Sequence, residues 1–283
     1  MIRSVMSRTH AAITFSTLTG AGFGLLAWLA VLGRLGHVQA GDNGGLTALA
    51  LALALIVVGL LAATRDREPG QPLAAMLRDW RGSWRSRTAI GATITLLALW
   101  LMGMFWLGEQ RVHGLAWPAA AGALAAVWCT GMIYQSDRAT TAWAVPLVVP
   151  SYIALALATG GILFNLVQAL AGARSQLALG AAVAALVIAW LVKAAYWSRI
   201  DAAPQSAAVP SAERAEFIRQ RGMVTALLFL IPALVMIGLI AAGPRVGPLP
   251  MLVATASAAI GITLERWLFF AEAGRVTGPP ARA

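Results

Sequence analysis

An acid and a base sit inside an apolar run near the end of this chain: Glu265-Arg266-Trp267 is followed by Leu268-Phe269-Phe270 before the run ends. If a helix enters hydrocarbon at Met251, Glu265 lies ~21 Å along it, which is about 9 Å short of the far side of a ~30 Å core. Ionisable groups at that depth are costly and usually face protein. The plainer reading is that Arg266 reaches back to the interface and Glu265 pairs with it or with Arg87. Two more clusters fall at the same level. Cys129-Thr130-Gly131-Met132-Ile133-Tyr134 closes one apolar run, and Ser83-Trp84-Arg85-Ser86-Arg87 opens another. Taken singly, Tyr134 is a belt aromatic and Trp84 an interfacial anchor. Taken together, Glu265, Arg266, Tyr134, Arg87, Trp84 and Ser83 bring rings, hydroxyls, cations and one carboxylate to a single depth. A lipid-soluble quinone needs such surroundings: apolar walls for its tail, donors for its carbonyls and a proton-carrying group near water. A transporter's gate would use similar residues.

Other chemistries find less support. A membrane haem takes axial ligands, usually His, inside the bundle, but His10, His37 and His113 all fall at helix ends or in loops. The single Cys129 supplies neither a disulfide nor a Cys-ligated cluster. Ser16-Thr17-Leu18-Thr19-Gly20-Ala21-Gly22-Phe23-Gly24 lies inside an apolar helix, not after a strand, so it is no nucleotide loop. Ser16, Gly20 and Gly24 recur every four residues, a small-residue face suited to close helix packing.

Composition dictates the helices that carry these residues. The chain has 283 residues, 59% hydrophobic and only 11% charged, with a mean hydropathy of +0.76. A soluble domain carries about 25% charged residues, so this is an all-α, polytopic integral membrane bundle. Eight apolar stretches are long enough, or nearly so, to cross a bilayer: 11–33, 45–63, 88–108, 117–134, 143–171, 176–192, 223–242 and 251–270. The first is too long for a signal-peptide core and no cleavage site follows it, so it is read as a retained span. Pro146 and Pro150 predict a bent start to the fifth. With eight spans, seventeen Lys/Arg fall on the side of the termini and only Arg34, Arg111, Arg174 and Arg245 on the other. The positive-inside rule then makes both termini cytoplasmic, and the net charge of +10 reports topology and anionic lipid, not nucleic acid. Two inner loops are long. Leu73, Met76, Leu77, Trp80 and Trp84 recur at helical spacing with Arg78, Arg81 and Arg85 between them, as in a short interfacial helix. The other runs from Lys193 to Gly222, a Pro/Ala/Ser tether ending in the charged run Glu213–Arg221. The whole of 1–283 reads as a single transmembrane domain.

Four segments, in this order on eight spans, resemble the membrane-anchor subunits of dimethyl sulfoxide reductase-type molybdoenzymes, the DmsC-type family. They are Phe15–Leu26 (FSTLTGAGFGLL), Asp79–Arg87 (DWRGSWRSR), Cys129–Ser136 (CTGMIYQS) and Glu265–Ala273 (ERWLFFAEA). The resemblance implies a haem-free subunit in a bacterial inner membrane, binding no metal of its own. It would exchange electrons with quinone or menaquinone and hold two partners. One is a ferredoxin-like iron–sulfur subunit, docked through Arg78, Arg81 and Arg85, and the other a catalytic subunit with the molybdenum cofactor. It implies either a sulfoxide reductase or a sulfite dehydrogenase-like complex. Many such anchors carry a His soon after the second span and a Glu just after the Ser-Arg of the third. Here those places read Thr64-Arg65-Asp66-Arg67-Glu68-Pro69 and Arg87-Thr88, so proton handling falls to Glu265, Asp66 or water. The competing readings are a purely structural anchor whose quinone site has decayed, and a secondary transporter, which would need a midplane polar site and broken helices.

Overall fold

The computed structural model describes residues 2–38, 42–64, 83–107, 113–137, 140, 142–203, 210–243 and 246–276. Among them all regular secondary structure is helical, without a strand. The helices are α1 (Ile2–Arg34), α2 (Asn43–Thr64), α3 (Trp84–Leu107), α4 (His113–Gln135), α5 (Val148–Leu170), α6 (Gln176–Asp201), α7 (Ser211–Ala242) and α8 (Leu249–Val276). Seven of them, all but α3, carry described stretches long and apolar enough to cross a membrane. Their outward faces agree with that. Leu177, Val187, Ile188 and Leu191 on α6 are exposed, as are Leu234 and Ile237 on α7 and Val253 and Ile260 on α8. Rows of large exposed aliphatics suit lipid, whereas a soluble monomer rarely shows so wide an apolar face.

The two most buried spans, α1 and α5, form the centre. They cross so closely that a Cβ on Gly24 would stand 1.8 Å from the Ala156 carbonyl oxygen. Of the small-residue face expected on α1, Gly24 makes this crossing and buried Ser16 bonds back to the Ile13 carbonyl. Gly20 meets nothing, and the second close contact is Gly22 against Ile56 and Ala52 of α2. In lipid, where burial drives helices together weakly, such backbone approaches supply van der Waals contact. Around this centre α2 and α4 pack on α1, α3 on α4, and α6 on α5, while α8 packs against α7, α5 and α1.

Three expected boundaries are corrected. The fifth span begins at Val148, not Trp143, because Ala142–Leu147 forms turns. Pro146 disfavours a helical residue before it, while Pro150 sits in the first turn, where its missing N–H is not needed. The Gln135 side-chain oxygen on α4 accepts from Val149 N at 3.4 Å, satisfying one free N–H of that first turn. The sixth span does not stop at Val192. It runs 26 residues to Asp201, starting from Ser175, which accepts from Ala178 N as an N-cap. The run Glu213–Arg221, expected as loop, is the first part of α7. Further along α7 a π turn, Thr225–Leu230, lies just before Pro232, with Ile231 N bonded five residues back to Ala226 O. The wider turn gives room to the proline ring, which would otherwise strike the Leu228 carbonyl. The interfacial helix expected around Pro72–Trp84, with Arg78, Arg81 and Asp66, lies outside the described residues except for Ser83 and Trp84. Arg85 belongs to α3, and its side chain also lies outside them.

Candidate functional site: a buried ion pair beneath an aromatic cluster

Tyr134 stands in the last turn of α4 and Tyr152 in the first turns of α5, so the short connection brings both to one level. Their rings stack at 5.6 Å. Tyr134 also meets Trp143 of the connection at 5.3 Å and Phe269 and Phe270 of α8 at 5.6 and 5.4 Å. Phe269 in turn stacks on Trp143 and packs edge-on against Tyr152. Each such pair contributes about 0.5–1.5 kcal/mol beyond its buried area. The cluster is therefore a rigid junction of α4, α5 and α8.

The charges lie directly against it. Along α8, Glu265, Phe269 and Glu272 fall at i, i+4 and i+7, and share one face. Glu265 is wholly buried, and its Oε1 is 2.5 Å from the ammonium of Lys193 on α6. Arg266, 3% exposed, places its Nε 3.5 Å from the other Glu265 oxygen and its guanidinium 3.8 Å over the Tyr152 ring. Lys193 is equally buried and lies 4.2 Å over the Tyr196 ring. Two cations and one carboxylate would be intolerable in an apolar bundle if left apart. Here a counter-ion and aromatic faces replace the lost water.

A second tier lies nearer the ends of the same helices. Arg221 of α7 donates through Nε to Glu272 at 2.8 Å and through a terminal nitrogen to Asp201 at 2.7 Å. Asp201 is eight residues beyond Lys193 and Glu272 seven beyond Glu265, so both tiers are spaced by roughly 11–12 Å of helix rise. Exposure falls inward, from the open Asp201 through Arg221 to the buried Glu272, Lys193 and Glu265.

Of the residues expected from the sequence, Glu265, Arg266 and Tyr134 converge here. Trp84 and Arg87 meet each other, with the Arg87 guanidinium 4.2 Å over the Trp84 ring, and Trp84 packs edge-on against Trp128 of α4. Trp128 and Tyr134 are six residues apart, about 120° around the helix, so this pair sits on a different face of α4. Ser83 accepts from Ser86 N at 3.4 Å, as a helix cap does. Of the partners foreseen for Glu265, Arg266 does lie within ion-pair distance, while Arg87 lies over Trp84 instead; Lys193, counted as a loop cation, is closer than either. The signal was present, because Leu179, Ala182, Leu186 and Ala189 continue at helical spacing through Lys193, Tyr196, Trp197 and Ile200, all buried. Tyr152 and Trp143 were missed for a different reason: only the fold brings them to Tyr134. His10 and His37 are exposed on and just beyond α1, and His113 opens α4. Among known proteins, no family model matches this chain and no curated protein matches it.

Proposed function

We propose that this protein is the membrane-anchor subunit of a molybdenum-dependent oxidoreductase complex, and that it exchanges electrons with a membrane quinone. In this reading the chain crosses a bacterial inner membrane eight times, α3 being the eighth span, with both termini in the cytoplasm. An iron–sulfur subunit docks on the arginine-rich inner face and carries electrons to or from a molybdopterin subunit. The observation that carries the quinone part is the convergence of Tyr134, Arg266 and buried Glu265 on one aromatic cluster. Interconversion of quinone and quinol moves an electron pair and a pair of protons. The rings supply a wall for a flat head group, and Glu265 is a proton-carrying group beside it. Glu272, Arg221 and Asp201 lead from that carboxylate toward water, a role the absent family His and Glu leave open.

The transporter reading draws on the π turn and Pro232 in α7, since such turns often mark functional sites. Its Leu227 carbonyl, however, accepts from Ser257 Oγ at 2.7 Å, so backbone freed by the turn serves packing.

The test is purification of the tagged chain from its native membranes. Molybdenum, iron and two companion subunits should travel with it, and quinone-dependent turnover should fall at least tenfold in Glu265→Gln and measurably in Tyr134→Phe. Unchanged turnover in both variants removes the site, leaving a structural anchor. A chain purifying alone and moving a solute across vesicles removes the complex. A C-terminal reporter active only outside the cytoplasm reverses the orientation.

A further inference from the structure

Two buried donors in the aromatic cluster have no hydrogen-bond partner among the described residues: the Tyr152 hydroxyl and the Trp143 indole N–H. Tyr152 is 2% exposed. Both side chains share the same two ring neighbours, Tyr134 and Phe269, at 5.3–5.8 Å. Buried donors are almost always satisfied, and an orphan in a native fold needs a cause. Strain is a poor cause for two at once on separate segments, one on α5 and one on the connection before it. An ordered water, which takes two to four polar partners, is the competing occupant, and the melting measurement below separates it from a ligand. Gln168, whose amide is also unpartnered, stands sixteen residues further along α5, roughly 24 Å away. The other unpartnered atoms near the cluster, Trp197 Nε1, Arg266 Nε and the Glu265 oxygens, belong to its charged side, where Lys193 and Arg266 lie within ion-pair distance of Glu265.

We infer that the Tyr152 hydroxyl and the Trp143 indole N–H are donors that hold a flat ligand bearing carbonyl acceptors, against the Phe269 and Tyr134 rings. A ligand with a hydroxyl in place of a carbonyl still presents an oxygen to both, so the oxidised and reduced forms of one quinone fit the same pair. Arg266, over the Tyr152 ring, fixes that ring's orientation and adds positive potential where an oxygen would lie. This rests on the quinone reading of the same cluster and adds which atoms recognise the head group.

The experiment uses the purified full chain in lipid nanodiscs, with retention over empty nanodiscs measured for menadione and for methylnaphthalene, the same fused rings without carbonyls. Wild type should retain menadione preferentially. Tyr152→Phe, which removes one oxygen, and Trp143→Phe should each lower menadione affinity roughly 3- to 10-fold, the worth of one hydrogen bond, and leave methylnaphthalene retention unchanged. The ligand-free Tyr152→Phe protein should melt no lower than wild type, since it loses an unmade bond; a lower melting point would show the hydroxyl already bonded to protein or water, and overturns the inference. A menadione preference that survives in both variants also overturns it, while sparing quinone recognition elsewhere in the chain. Equal retention of the two probes by wild type removes the inference together with the quinone reading of the cluster.

Discussion

Replacing Lys193 by Met tests the centre of this architecture. At 2.5 Å and an effective dielectric of ~20, the gross attraction between Lys193 and Glu265 is about 7 kcal/mol. Arg266 at 3.5 Å contributes about 5 kcal/mol on the same scale. Much of this is offset by the cost of removing the groups from water, so the pair's net worth against a well-packed apolar substitute is near zero. Removing one partner is different, because the other remains buried, and the usual penalty is about 3–5 kcal/mol. Lys193→Met leaves Glu265 with Arg266 and belongs near 3 kcal/mol. Glu265→Gln leaves two buried cations facing each other, softened by the Tyr196 and Tyr152 rings, and belongs near 5 kcal/mol. The double variant removes the Lys193–Glu265 pair but leaves Arg266 buried with only the Tyr152 ring beside it. It should lie about 3 kcal/mol below wild type, so the cycle yields a coupling of about 5 kcal/mol. Reversible loss of helicity in mixed micelles, titrated with denaturing detergent, measures all four proteins. Strict additivity, or a Lys193→Met protein within 1 kcal/mol of wild type, would refute the buried pair and with it the extension of α6 past Val192.

Gly24→Val should prevent assembly of the bundle, since the new Cβ would overlap the Ala156 carbonyl oxygen; separating α1 from α5 costs about 3 kcal/mol or more, read by the same titration, while Gly20→Ala in open space should be silent. Arg221→Met removes the counter-ion shared by Glu272 and Asp201 and should destabilise by about 3 kcal/mol, mostly through buried Glu272. Glu272→Gln in the complete complex should slow quinone turnover severalfold with little change in quinone affinity, as seen by steady-state kinetics, if protons pass that tier. Gln135→Ala should cost about 1 kcal/mol by leaving Val149 N without its partner, and a larger loss would mean that it also disturbs Tyr134.

The fold class was legible from composition alone, because a chain with 11% charged residues cannot cover itself against water. Span positions were legible wherever loops are short and polar, as at the starts of α2 and α6. Span ends were misread where charges are buried. Ending a span at its first cation assumes that cation is solvated, and Lys193 is not, because its counter-ion arrives on a helix 72 residues later in the chain. A hydropathy window sees one segment at a time and carries no information on such pairing. The apolar stripe through Tyr196, Trp197 and Ile200 was the better guide, since periodicity reports the face a helix buries whatever the charge of one member. For the site, depth within a span picked out Glu265 and Arg266, and position at a span end picked out Tyr134. Nothing local marks Trp143 or Tyr152, whose relation to Tyr134 exists only after α4, α5 and α8 have packed.

The two ion tiers also bear on how the cluster keeps its shape. α6, α7 and α8 show lipid broad apolar faces, and apolar contact between helices is weakly directional in a solvent as greasy as the side chains themselves. Sliding α8 by one turn against α6 would pull Glu265 from Lys193 by about 5 Å and leave both charges in hydrocarbon. The pair thus adds a penalty for the wrong register, as buried polar groups do in coiled coils, to that set by the close approach of Gly261 to Leu228 on α7. Arg221 applies the same constraint between α6, α7 and α8 at the second tier. The register so fixed is what carries Phe269 and Phe270 to Tyr134. The charges therefore hold the aromatic cluster in place even if no proton ever passes through them, and the two roles separate experimentally: a Lys193→Met/Glu265→Gln protein that folds but binds menadione no better than methylnaphthalene has lost the register, whereas one that binds normally and turns over slowly has lost only the proton.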